Sequence, residues 1–169
     1  MFGLDDFLVF FRAFFIVFPI VTLIHVFGHY LFARINGCHD VYIIIGCGKK
    51  LFTFRKVEVR KFYFWYGGCE LSHIKVNNKF RHLLIYFGGA FFNMLGIFIV
   101  HMFIKLDLIE ASNITYQFIY FSIYTVFFAL IPMDYPDGSP SDGKAIIRIY
   151  KNKKVNQSTD CQSKEKSRT

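Results

Sequence analysis

Residues 8–32 read "LVFFRAFFIVFPIVTLIHVFGHYLF", an apolar run broken by Arg12, Pro19, His25 and His29. It exceeds the ~20 helical residues that cross a hydrocarbon core of about 30 Å. A cleaved leader peptide is the competing reading. Against it, the run is too long, its start carries Asp5 and Asp6 in place of a basic region, and no small-residue cleavage site follows. The stretch therefore predicts a membrane-spanning helix.

The rest of the chain agrees. Its 169 residues are 54% hydrophobic and 20% aromatic with 23 Phe, more apolar than one soluble domain of this length requires. Further apolar runs at about 83–104 and 114–132 predict an α-helical integral membrane protein with about three transmembrane helices in a core of residues 1–150. Residues 151–169 form a basic polar tail with no periodic apolar pattern, which reads as disordered. The net charge of +8 is concentrated between residues 34 and 81 and in the segment after Pro132, whereas Asp5, Asp6, Asp107 and Glu110 face a single Lys105 in the other connections. Because cations resist translocation, the expected orientation in the cell membrane has the N-terminus outside and the central loop and tail cytoplasmic.

The central loop contains "VYIIIGCGKKLFTFRKVEVRKFYFWYGGCEL", residues 41–71. Its β-branched and aromatic residues, its alternation and its glycines predict a small antiparallel sheet at the membrane surface. Basic residues among aromatics could suit nucleic acid, but no recognition motif accompanies them. Cationic strands beside anionic lipid headgroups are the expected arrangement, so the partner is the lipid bilayer and not nucleic acid. Cys38, Cys47, Cys69 and Cys161 contain no C-x-x-C pair and fall on the side where thiols stay reduced.

His25 and His29 stand four apart, on one helix face, where both imidazoles can reach one ion. They could merely pack between helices, yet polar groups inside a membrane are costly and commonly functional. A third ligand would come from "ALIPMDYPDGSPSDGKAIIRIY", in which Ser141 can cap a helix starting at Asp142 and Gly143 permits close approach. Asp142 could equally be only part of the cap. Asp137 is the second choice of ligand. Redox centres fit poorly: His39, His73, His82 and His101 form no second pair at three or four residues' spacing, and one such pair cannot clamp both faces of a haem.

Taken together these segments resemble the site-2 proteases, intramembrane zinc metallopeptidases. "HVFGHYLFAR" resembles that family's HExxH motif, "GGAFFNML" (residues 88–95) its GPxxN motif, and "ALIP…SDGKAI" its NxxP…DG segment. "IIIGCGKKLFTF" and "FYFWYGGCEL" resemble the strands that follow the first motif, and the likeness runs from about Pro19 to Arg148. It implies zinc held by His25, His29 and Asp142, with Asn93 orienting a substrate strand. The implied substrate is a peptide bond in or beside a transmembrane helix. Three departures stand out: Gly89 read at the proline of GPxxN, Ala129 at the asparagine of NxxP, and Val26 at the glutamate of HExxH. That glutamate is the general base, which takes a proton from the attacking water and returns it to the leaving amine. The expected protein is thus a zinc-binding metalloprotease homologue, a pseudoenzyme impaired in hydrolysis, that binds transmembrane or juxtamembrane protein segments. The alternative is an active endopeptidase in which another carboxylate such as Glu70, or the metal site unaided, replaces the base.

Overall fold

The computed structural model describes residues 3–38, 41–71, 78–135 and 138–151. Asp137 and the tail beyond Lys151 lie outside the described residues. The first span is a continuous rod, Leu4–Ile35, built of α1 (Leu4–Arg12), a π-helical segment (Ala13–Val17) and α2 (Phe18–Ile35). It overruns the apolar stretch at both ends. Asp5 and Asp6 in its first turn and Arg34 in its last complement the helix dipole and favour the extra residues. Pro19 has no N–H to offer the preceding turn and its ring crowds the carbonyl four residues back; the widened π turn lies immediately upstream.

After the strands β1 (Val41–Phe54) and β2 (Val57–Leu71) come α3 (Lys79–Lys105), α4 (Asn113–Leu130) and α5 (Asp142–Lys151). The Asn78 side chain caps α3 by accepting from the Phe80 N–H at 3.0 Å. The first rod and α3 are long and apolar enough to cross a membrane, with mean hydropathies of 2.5 and 2.1. Their outer faces, including Ile16, Phe27, Phe98 and Phe103, are exposed and apolar, as contact with lipid tails requires. Arg12 ties the rod to α4: a terminal guanidinium nitrogen donates to Gln117 at 3.4 Å while its buried Nε has no partner, and the Gln117 amide donates to the Val9 carbonyl at 3.3 Å.

α2 and α3 cross where both are glycine. A Cβ on Gly28 would strike the Gly88 carbonyl, and one on Gly88 would come within 2.6 Å of the Phe32 ring. Small residues at such a crossing let two backbones approach closely in the absence of a hydrophobic drive between helices. Below the crossing, Ala33, Cys38, Val41 and Ile85 form a buried cluster that ties the start of β1 to both helices.

The strands pair antiparallel, from Val41 with Leu71 to Phe54 with Val57. Gly46 and Gly48, with φ of +86° and +84°, bend β1, so Ile43–Ile45 lies between two parts of β2: Cys69, Gly68 and Gly67 on one edge and Val57, Glu58 and Val59 on the other. The expected sheet is present, but it is not confined to the membrane surface. Phe64 packs on Phe15 with ring centroids 4.7 Å apart, and a Cβ on Gly67 would meet Thr22 and Val26 at 2.7 and 3.2 Å. Phe15, Thr22 and Val26 belong to the middle of the rod, so β2 lies beside α2 well inside the apolar span. The aromatic run from Phe62 to Phe64 gives β2 an apolar surface suited to that depth.

Candidate metal centre

On α2, Val21, His25, His29 and Ala33 recur every four residues, and all four are buried. This stripe faces α3, whose own stripe of Ile85, Gly89 and Asn93 has the same spacing. The two stripes divide the work. The His29 Nδ1–H donates to the Ile85 carbonyl at 2.8 Å, which fixes the tautomer and leaves Nε2 with its lone pair. Gly89 makes room: a Cβ there would sit 2.5 Å from His29 Nε2 and 2.7 Å from His25 Nε2. Counting the motif back from Asn93 corrects one assignment made from the sequence. The motif's glycine is Gly89 and its proline position is Ala90, and the crowding just described gives the physical reason for glycine at 89.

The third donor arrives from far along the chain. Ser141, fully buried, accepts at Oγ from the Lys144 N–H at 3.2 Å and so caps α5, with Asp142 as its first residue. The same hydroxyl donates to the Ile131 carbonyl and accepts from the Met133 N–H, which fastens the start of α5 to the end of α4. Gly143 abuts the Leu130 carbonyl with no space for a side chain. On the outer side Lys144 and Arg148 both bind Asp134; the Lys144 hydrogen bond comes first in holding that carboxyl below its usual range. Held in this way, Asp142 Oδ2 lies 3.2 Å from Nε2 of both His25 and His29, and the two Nε2 atoms are 3.1 Å apart. Burial alone would raise the Asp142 carboxyl, but its contacts with His29 and His25 outweigh it and hold the group well below the usual carboxylate range.

These three atoms form a nearly equilateral triangle. Donors at about 2.0–2.1 Å from a tetrahedral zinc are roughly 3.3–3.4 Å from one another, so edges of 3.1 to 3.2 Å suit one face of such a site. The donor chemistry, two imidazoles and a carboxylate, is equally that of an open zinc site. Among the described residues, His25, His29 and Asp142 are the group of His, Cys, Asp or Glu able to hold an ion.

The remaining site residues fall as follows. Val26 is 1% exposed and packs beside Gly67 of β2, whose lack of a side chain leaves it room. Asn93 is fully buried with its carboxamide against His25, and Ala129 is buried on α4. Asp137 and the Glu70 side chain lie outside what is described. Sequence reasoning missed the Ile85 carbonyl, the Gly28–Gly88 crossing and Gly67. The first of these was within reach, because Ile85, Gly89 and Asn93 repeat at the helical spacing that His25 and His29 display.

The family model for peptidase family M50 matches residues 13–162 of the chain. The uncharacterized membrane protein YwmF of Bacillus subtilis (strain 168) is 38% identical over 151 residues, which cover 89% of this chain and 94% of that protein. No solved structure matches. The family match extends over the whole donor triangle and over the rod from its π-helical segment through α2, and the chain is a membrane protein that belongs to peptidase family M50, the site-2 protease family.

Proposed function

We propose that this chain is a zinc-binding member of its family that has lost its proton shuttle and holds a membrane-protein segment without cutting it efficiently. The observation that carries the reading is the pairing of an intact donor triangle with a buried isopropyl group where the family places its base. His25, His29 and Asp142 would hold the ion. Zinc there supplies Lewis acidity toward a peptide carbonyl. Val26 has no proton to take from water or to give to a leaving amine. Support for the binding role comes from an open apolar groove of about 570 Å³ between α3 and α4, lined by Met94, Ile97, Ile123, Phe127 and Leu130.

Metal analysis of the purified protein in detergent tests the first half. Roughly one zinc per chain is expected, falling to background in His25→Ala. Stoichiometric zinc in that variant overturns the assignment. If only Asp142→Ala leaves binding intact, Asp137 becomes the third ligand.

The topology belongs to the same proposal: three spans, with α4 as the third, the N-terminus outside, and the loop and tail cytoplasmic. The arrangement of cations supports it. An impermeant thiol reagent applied to intact cells should leave Cys47 unlabelled, and become reactive toward it after the membrane is permeabilised. Labelling of Cys47 in intact cells would reverse the orientation.

A further inference from the structure

His25 and His29 are held differently on their Nδ1 sides. His29 has a short bond to the Ile85 carbonyl, at 2.8 Å. His25 has the Gly89 carbonyl within reach and, 3.4 Å from Nδ1, the amide nitrogen of Asn93. Asn93 is 0% exposed, and its Oδ1 is buried with no hydrogen-bond partner. Two misfits therefore coincide: a donor nitrogen faces a ring nitrogen that must itself carry hydrogen if Nε2 is to bind an ion, while an acceptor oxygen goes unused. A half-turn of the carboxamide about χ2 brings Oδ1 to Nδ1 and lets the ring donate to it, which uses the acceptor oxygen and puts the amide nitrogen in its former place.

We propose that Asn93 is a positioning residue for the metal centre: its Oδ1 accepts from the His25 Nδ1–H and thereby orients the ring and presents Nε2 beside His29 and Asp142. This rests on the reading of those three residues as zinc ligands, and it gives Asn93 a task within the protein, separate from orienting a substrate strand. Ligating histidines elsewhere depend on such partners, and loss of one lowers metal affinity about 10–100-fold. The Gly89 carbonyl shares the load, so the effect expected here is about tenfold.

The test is zinc affinity of the full chain in detergent, measured by chelator competition with no substrate present. Asn93→Leu, close in volume and without an acceptor, should bind about tenfold more weakly. Asn93→Asp, which always offers an oxygen, should bind as tightly as the parent or tighter, and cobalt-loaded Asn93→Asp should show the parent's visible absorption bands. Asn93→Ala replaces the leucine variant if that one does not fold. A substrate-orienting or space-filling Asn93 predicts otherwise: equal affinity in parent and Asn93→Leu, or equal loss in Asn93→Leu and Asn93→Asp, overturns the proposal while the zinc site stands. Absence of zinc from the parent overturns both together.

Discussion

Val26→Glu is expected to raise zinc-dependent cleavage of a transmembrane substrate by roughly 10²–10⁴-fold over the chain as it stands, the range that general acid–base catalysis contributes. A side chain one residue after His25 projects about 100° around the helix from it. In this protein that direction leads to the space beneath Gly67, where Val26 is almost fully enclosed. A glutamate there has a longer reach than valine, and the space beneath Gly67 is already filled by Val26 and Thr22, so the longer side chain must turn out of it toward the donor atoms. Burying a carboxylate is costly unless a charge compensates. The ion held by His25, His29 and Asp142 would provide that compensation, so Val26→Glu should fold best when zinc is present. Cleavage by both chains is followed on one generic transmembrane substrate, with and without a chelator. Comparable zinc-dependent cleavage by the two would show that the base lies elsewhere and that the protein is an active endopeptidase. Zinc retained by Val26→Glu with no cleavage would place the defect in the substrate groove, where Ala90 and Ala129 replace the family's proline and asparagine.

The second large effect is expected from one methyl group. Gly89→Ala should weaken zinc binding by more than about 100-fold, beyond the loss that follows removal of an outer hydrogen-bond partner. Its Cβ would stand 2.5 Å from His29 Nε2 and 2.7 Å from His25 Nε2, against the very atoms that must face the ion. Alanine favours the helix intrinsically, so α3 itself should not suffer. Gly96→Ala is the control on the same helix, because its Cβ would meet only the edge of the Phe118 ring at 3.2 Å, and its zinc affinity should match the parent's. Parent-like affinity in Gly89→Ala would mean that the imidazoles can turn away and still bind, and the donor geometry described above would be wrong.

Much of this was legible in the sequence, because the physics that governs it is local. Apolar length announced the first rod and α3; the i, i+4 spacing placed His25 and His29 on one face; Ser141 before Asp142 announced the cap of α5. What stayed hidden depends on how helices cross. Gly28 and Gly88 look like ordinary membrane glycines until their backbones meet, and no periodicity in β2 says that Phe64 reaches Phe15. The sheet was therefore expected at the surface on account of its lysines, while its aromatic stretch and Gly67 take it alongside the rod. The register of Gly89 follows from counting back from Asn93, but the reason for a glycine there does not. Its importance lies in the space it leaves between two imidazoles on another helix, and that is a tertiary property.

The donor triangle also sets a timetable. His25 and His29 are made within one helical turn of each other, but Asp142 follows His25 by 117 residues. At about 5–20 residues per second, synthesis leaves the two imidazoles without their third partner for roughly 6–23 s. A nascent chain can thus offer an ion two soft nitrogen donors long before the carboxylate arrives. If the three residues do hold an ion, the last of them to emerge completes the donor set, and a chain stalled before Asp142 carries two of the three donors.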